Sequence, residues 1–244
     1  MSAADLFRQF ESHLRAIGRY PPPRPSARPE VGYWRHGIRM PALRRLVAQH
    51  ARAFKQLSPS EQRNLTEELL AEGSDEAAQA GFLLLGRVLD MHTPFPATTL
   101  DRMAGSLRDW AATDTFCTNV LHTLVLREPD RILPLLERWS TSALRWKRRA
   151  SVVAFARKVG ASGRFTQEGI AACERLITDE DDLVRKGIGW ALKDMMKGDK
   201  SSVLGYVAEL RRRGISAVIT LYAMKDLVGM ERARLLAIEP RRPS

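Results

Sequence analysis

The sequence predicts an all-α protein built from stacked helix pairs, and three observations carry that prediction. Apolar residues recur at three- and four-residue spacing along most of the chain, with no convincing alternating strand. The segments between them are short and carry helix punctuation. Two stretches, WKRRASVVAF (146–155) and LVRKGIGWAL (183–192), align at an offset of 37 residues (146 to 183), and each carries a basic pair before turning apolar: Arg148–Arg149 and Arg185–Lys186. A period near 40 with two helices per unit is the mark of HEAT-like repeats. Such repeats stack into a curved solenoid whose concave face meets partners. The expectation is a HEAT-like helical repeat solenoid with a concave basic face, monomeric, forming one domain over residues 1–244.

Taken in order, the first helix covers 3–17, in MSAADLFRQFESHL, an amphipathic start with charges and none of the features of a signal peptide. The stretch RYPPPRPSARPE (19–30) has five Pro in twelve residues and reads as an extended arm, because Pro removes donors and disfavours helix. Its three Arg either touch phosphates or belong to a solvated linker. Helical segments follow over 40–54, 59–72, 75–91, 98–110, 114–127, 129–139, 143–159, 166–177, 182–197, 200–213, 216–228 and 230–237, and 238–244 reads as a flexible tail. SPSEQ (58–62) offers a Ser cap with Glu61 or Gln62 behind it. SDEAAQ (74–79) and TDEDDLV (178–184) place acids at helix starts, where the helix dipole favours them.

Charge and composition narrow the function. Lys plus Arg outnumber Asp plus Glu by 39 to 28, a net charge of +11, which argues for a polyanionic partner. Hydrophobic residues make up 44%, enough for a real core, and no apolar run approaches the ~20 residues of a membrane span. Cys117 and Cys173 stand far apart, and the five His show no ligand spacing, so neither a metal nor a disulfide framework is expected. The expected setting is cytoplasmic, nucleoid-associated if the protein is bacterial.

Helical faces then single out residues. On 182–197, Val184, Ile188, Ala191 and Met195 form one stripe, and Lys186, Trp190, Lys193 and Lys197 form another nearly opposite. Trp is costly to leave on a solvated face, so Trp190 is either buried under a neighbouring helix or covered by a ligand both anionic and aromatic. Residues 138–164 hold eight basic residues and no acid, with a cluster at 145–149 that opens a helix. The dipole disfavours cations there, and external phosphates would offset the cost.

RDWAATDTFC (108–117) brings Trp110 and Asp114 together inside this basic chain. Two readings stand. Asp114 caps a helix over 115–127, or it faces positive charge developing on a bound nucleic acid. A deoxyribose losing its base passes through an oxocarbenium-like state that a carboxylate stabilises. A single carboxylate suffices for an N3- or N7-alkylated purine, which leaves without needing an acid because it is already cationic. Trp faces attract the same cations.

DWAATD, WKRRASVVAF and RKGIGWALKDMMK, together with GIRMPALRRLV (37–47), resemble the AlkD-like family of DNA alkylation repair glycosylases over roughly 31–228. The resemblance implies HEAT-like repeats and excision of N3- and N7-alkylpurines from double-stranded DNA without metal or cofactor. It implies Asp114 as the catalytic carboxylate, Trp110 and Trp190 as contacts to the deoxyribose and backbone, and Arg149 as the family's basic position. Arg148, Lys186 and Lys193 are the further DNA contacts expected from the basic faces. The absence of a Lys beside Asp114 points to a monofunctional mechanism. Two alternatives remain: a non-catalytic HEAT-like protein that recognises distorted or branched DNA, and a protein–protein scaffold, against which the +11 charge counts.

Overall fold

The computed structural model describes residues 2–18 and 34–240. The arm at 19–30 and residues 241–244 of the expected tail lie outside the described residues. Among those described, the regular structure is helical, apart from an isolated bridge between Trp34 and Ser74. The all-α, helical-repeat expectation therefore holds. No helix among them is long and apolar enough to cross a membrane. The chain divides into two compact units that meet in sequence at Thr123 and Leu124.

In the first unit, α1 (Ala3–Ile17) and α3 (Pro59–Ala71) both start from complete capping boxes, Ser2 with Asp5 and Ser58 with Glu61. Between them lies α2 (Met40–Lys55), with Pro41 in its first turn, where a missing N–H costs nothing. The extended residues 34–39 run onto the start of α4 (Asp75–Leu85). There the buried Glu76 accepts the amides of His36 (2.9 Å) and Ile38 (3.0 Å). A 3₁₀ turn (Leu89–Met91) and α5 (Ala97–Gly105) lead to α6 (Trp110–Phe116). Its buried side docks on α4: Phe116 lies 4.7 Å from Phe82, ring centre to ring centre, and Thr115 donates to Gln79 at 3.2 Å. Each Phe is fully enclosed, worth roughly 1.5–3 kcal/mol of burial. After α6 the helix widens into a π turn (Cys117–Leu121) before α7 (His122–Arg127).

The second unit holds α8 (Pro129–Ser140), α9 (Arg145–Val153), the short α10 (Arg157–Ala161), α11 (Thr166–Arg175), α12 (Asp182–Met195), α13 (Lys200–Arg212), α14 (Ala217–Ala223) and α15 (Gly229–Leu236). The two stretches related by 37 residues fall on α9 and α12, which pack against each other. They touch at Gly187, where an added Cβ would come within 3.2–3.3 Å of the Val153 and Val152 methyls, so only a residue without a side chain fits with ease. On α12 the expected core stripe is buried throughout: Val184, Ile188, Ala191 and Met195.

Several expected boundaries move. The segment 98–110 ends early and 114–127 begins early, because Asp109 caps a helix whose first residue is Trp110. The single helix expected over 143–159 breaks after Val153, and α10 opens at Arg157, whose left-handed φ of +49° an uninterrupted helix could not carry in its interior. The segment 216–228 stops at Ala223.

Candidate functional site

Each unit carries one Trp-bearing helix singled out by the sequence. In the first, Asp109 sits at the N-cap of α6 and accepts the Ala111 amide at 2.7 Å. The same buried carboxylate accepts Arg35 Nη2 at 2.7 Å, and Arg35 Nε lies 3.7 Å from Asp75 at the start of α4. One guanidinium thus ties the beginnings of α4 and α6 together.

With the cap assigned to Asp109, the capping role for Asp114 falls away. Asp114 is an interior residue of α6, one turn after Trp110 and so on the same face. Trp110 is 47% exposed and Asp114 half-buried, while Ala112, Thr113, Thr115 and Phe116 are buried on the other side. One turn further on, half-buried Thr118 donates its hydroxyl to the Asp114 carbonyl at 2.7 Å. The outward stripe of this helix therefore runs Trp110, Asp114, Thr118. It leads into the π turn, a local widening frequent at functional sites.

In the second unit, Trp190 is half-buried on α12, with exposed Lys186 one turn before it. The Arg157 guanidinium lies over its ring, 5.4 Å from the centroid. Asp194, one turn after Trp190 and 1% exposed, accepts the Arg157 amide at 2.9 Å, Lys197 Nζ at 3.0 Å and Lys193 Nζ at 3.2 Å. Burial pushes the Asp194 carboxyl up, but the Arg157 amide and the two lysines outweigh it and hold the group below the ordinary carboxylate range. Lys193 also reaches Asp226 at 3.1 Å. Partial burial works to lower its ammonium, and Asp226 and Asp194 more than offset that, so it stays charged to higher pH than an isolated lysine.

The remaining expected site residues lie on α9. Arg148 donates Nε to Asp179 at 2.6 Å and Nη1 to the carbonyls of Ser142 and Ala143. Arg145 pairs with Asp181 at 3.5 Å. The cations at this helix start, which the local sequence leaves without a balancing acid, are balanced in the fold by acids from the loop before α12. External phosphate is not needed to account for them. Arg149 is buried and donates to the Leu183 carbonyl, joining α9 to the first turn of α12. The structure thus gathers Trp110 with Asp114 on α6, and Arg148, Arg149, Lys186, Trp190 and Lys193 on the packed pair α9 and α12.

Sequence reasoning passed over Asp109, Arg35, Arg157 and Asp194. Asp109 had a readable signal, a favoured cap residue directly before a helical run. Asp194 follows Gly187 by two turns and so shares its buried side, where a carboxylate demands partners. Among the described residues, no group of three or more His, Cys, Asp or Glu is placed to hold a metal ion.

Comparison with known proteins adds two findings. A family described as DNA alkylation repair enzyme matches residues 32–227. Among solved structures, the fold is similar to that of a protein described as a predicted DNA alkylation repair enzyme from Enterococcus faecalis, with a TM-score of 0.67 over 93% of this chain and 97% of that one. At 13% identity, that likeness speaks for the fold. No curated protein matches the chain.

Proposed function

The chain belongs to the DNA alkylation repair enzyme family, and from that premise we propose that it is a monofunctional DNA glycosylase that removes cationic N3- and N7-alkylated purines from double-stranded DNA. The observation that supports this most is the outward stripe of α6. Trp110 and Asp114 share one exposed face, and Asp109 fills the cap role that would otherwise explain an acid there.

The chemistry follows from charge. The alkylated purine carries a positive charge, so as the C1′–N bond breaks the electron pair goes to the base and neutralises it. Positive charge appears on the deoxyribose instead. The Asp114 carboxylate lies opposite that cation and is stronger there than in water, because the Trp110 indole excludes solvent. Water attacks C1′ and its proton passes to Asp114 and then to bulk. The products are a free alkylpurine and an abasic site. No general acid is required, which fits a single carboxylate. Trp190 and Lys186 contact the sugar–phosphate backbone. Arg148, Arg149 and Lys193, held by carboxylates and carbonyls, keep α9 and α12 in place.

The test is release of free methylpurine from methylated duplex DNA, with strand cleavage followed in parallel. Base release without enzyme-dependent cleavage is the expected result. DNA binding without base release would move the protein to the non-catalytic reading.

A further inference from the structure

Arg157 is the non-glycine residue with positive φ among the described residues, at +49°. That region is uncommon for a side chain without a short polar group, and the surroundings must enforce it. Here they do. Its amide is drawn to the buried Asp194 carboxylate at 2.9 Å, and α10 lies directly on the backbone of α12. An added Cβ on Gly160 would stand 2.6 Å from the Phe155 carbonyl oxygen and 2.9 Å from the Met195 nitrogen. The turn is fixed from two sides, and its backbone would suit glycine better than arginine.

The side chain accounts for the arginine. It is exposed, and its guanidinium lies 5.4 Å from the Trp190 ring centre. An arginine over an aromatic face is held by cation–π attraction while its N–H fork stays turned to solvent. Lys186, one turn from Trp190, adds a second exposed cation on the same face of α12.

We propose that Arg157 is a further DNA contact beside Trp190, its guanidinium taking one phosphate of the backbone. Asp194 is the positioning residue that holds Arg157 in its left-handed turn. This rests on the DNA-directed reading of the protein, and it holds for a glycosylase and for a non-catalytic binder alike.

The test separates backbone from side chain. Arg157→Gly removes the guanidinium and relieves the turn, so its melting temperature should equal or exceed that of the unaltered protein. Arg157→Asn, which also tolerates positive φ, serves as a second variant. In both, affinity for unmodified duplex DNA should fall roughly tenfold or more, as expected for a lost charged hydrogen bond. The slope of log affinity against log salt should shrink by about 0.9, one phosphate contact. Arg157→Lys should restore the slope. Glycine and asparagine variants with undiminished affinity and slope would overturn the proposal while leaving the glycosylase reading intact. Absence of base release by the unaltered protein, with the slope change still present, would uphold it and remove the glycosylase reading. Failure of the unaltered protein to bind DNA would overturn both.

Discussion

The two Trp-bearing helices are secured by the same device put to different ends. In each unit a buried aspartate fixes the local backbone: Asp109 beside Trp110, Asp194 beside Trp190. Asp109 holds the start of the tryptophan's own helix and leaves the indole bare, 47% exposed, with Asp114 one turn away. Asp194 holds a neighbouring turn, whose Arg157 then lies across the indole. The first arrangement presents an uncovered aromatic wall next to an acid, suited to a developing cation. The second presents an aromatic wall already faced with a cation, suited to a phosphate. On the proposed reading, the same pair of residue types, Trp and Asp, would serve opposite charges according to which backbone the carboxylate secures.

The largest effects should come from removing those two anchors. Asp194→Ala leaves the Arg157 amide and Lys193 without their buried carboxylate and should cost about 3–5 kcal/mol in chemical denaturation, as for other broken buried pairs. Asp109→Ala should cost less, about 1 kcal/mol for the cap and about 1.5–3 kcal/mol for the charged hydrogen bond from Arg35. Asp109→Asn should recover the cap share. Equal, small losses at both sites would mean that the carboxylates are not the anchors described.

The tryptophans come next. Trp110→Ala should barely move the melting temperature, within about 0.5 kcal/mol, since the indole is exposed. Trp190→Ala should cost roughly half of the 3–5 kcal/mol of a fully buried Trp. Both should impair base release by more than their stability explains. A Trp190 whose removal cost the full buried value with no separate loss of function would be core alone.

Acid should also tell the units apart. All five histidines lie in the first unit. His50, 3.0 Å from His13, has its pKa lowered by burial first and by the charge of His13 second. The unfolded chain therefore binds the proton more readily, and stability contributed there is complete above about pH 6.5 and lost as pH falls through the lowered folded value. His50→Gln should flatten that loss. Asp194 also has a lowered pKa, so its contribution is complete above about pH 4 and fades only in stronger acid. Denaturation series at pH 7, 5.5 and 3 separate the two.

The smallest expected effect is in salt dependence. Lys186→Ala should reduce the slope of log affinity against log salt by about 0.9, whereas Lys193→Ala should change it less, because Asp194 and Asp226 already neutralise that ammonium.

Much of this was legible in the residues. Helical periodicity placed nearly every element, and the wheel of 182–197 separated the core stripe from Trp190 and the lysines, as the burial of Val184, Ile188, Ala191 and Met195 bears out. The 37-residue offset found two helices that pack on each other. What stayed hidden depended on distant partners. Arg148 looks unbalanced beside its neighbours, yet its acid, Asp179, stands 31 residues away. The break between α9 and α10 follows from Asp194 drawing in the Arg157 amide, and no local pattern announces it. Asp114 looked like a cap because the helix start was placed at 115, five residues late; Asp109, one residue before Trp110, was available to correct it.

The central claim is that Asp114 faces a cation on the sugar. Single-turnover release of 7-methylguanine from duplex DNA by Asp114→Asn, with DNA affinity measured on the same preparation, tests it most directly. The substitution keeps the shape and, with Asp109 as cap, leaves the helix start untouched. Release should fall by about 10²–10⁴-fold, the span of a lost general base, while affinity stays equal or tightens slightly as an acid leaves the surface proposed to meet DNA. Undiminished release by Asp114→Asn would contradict the assignment.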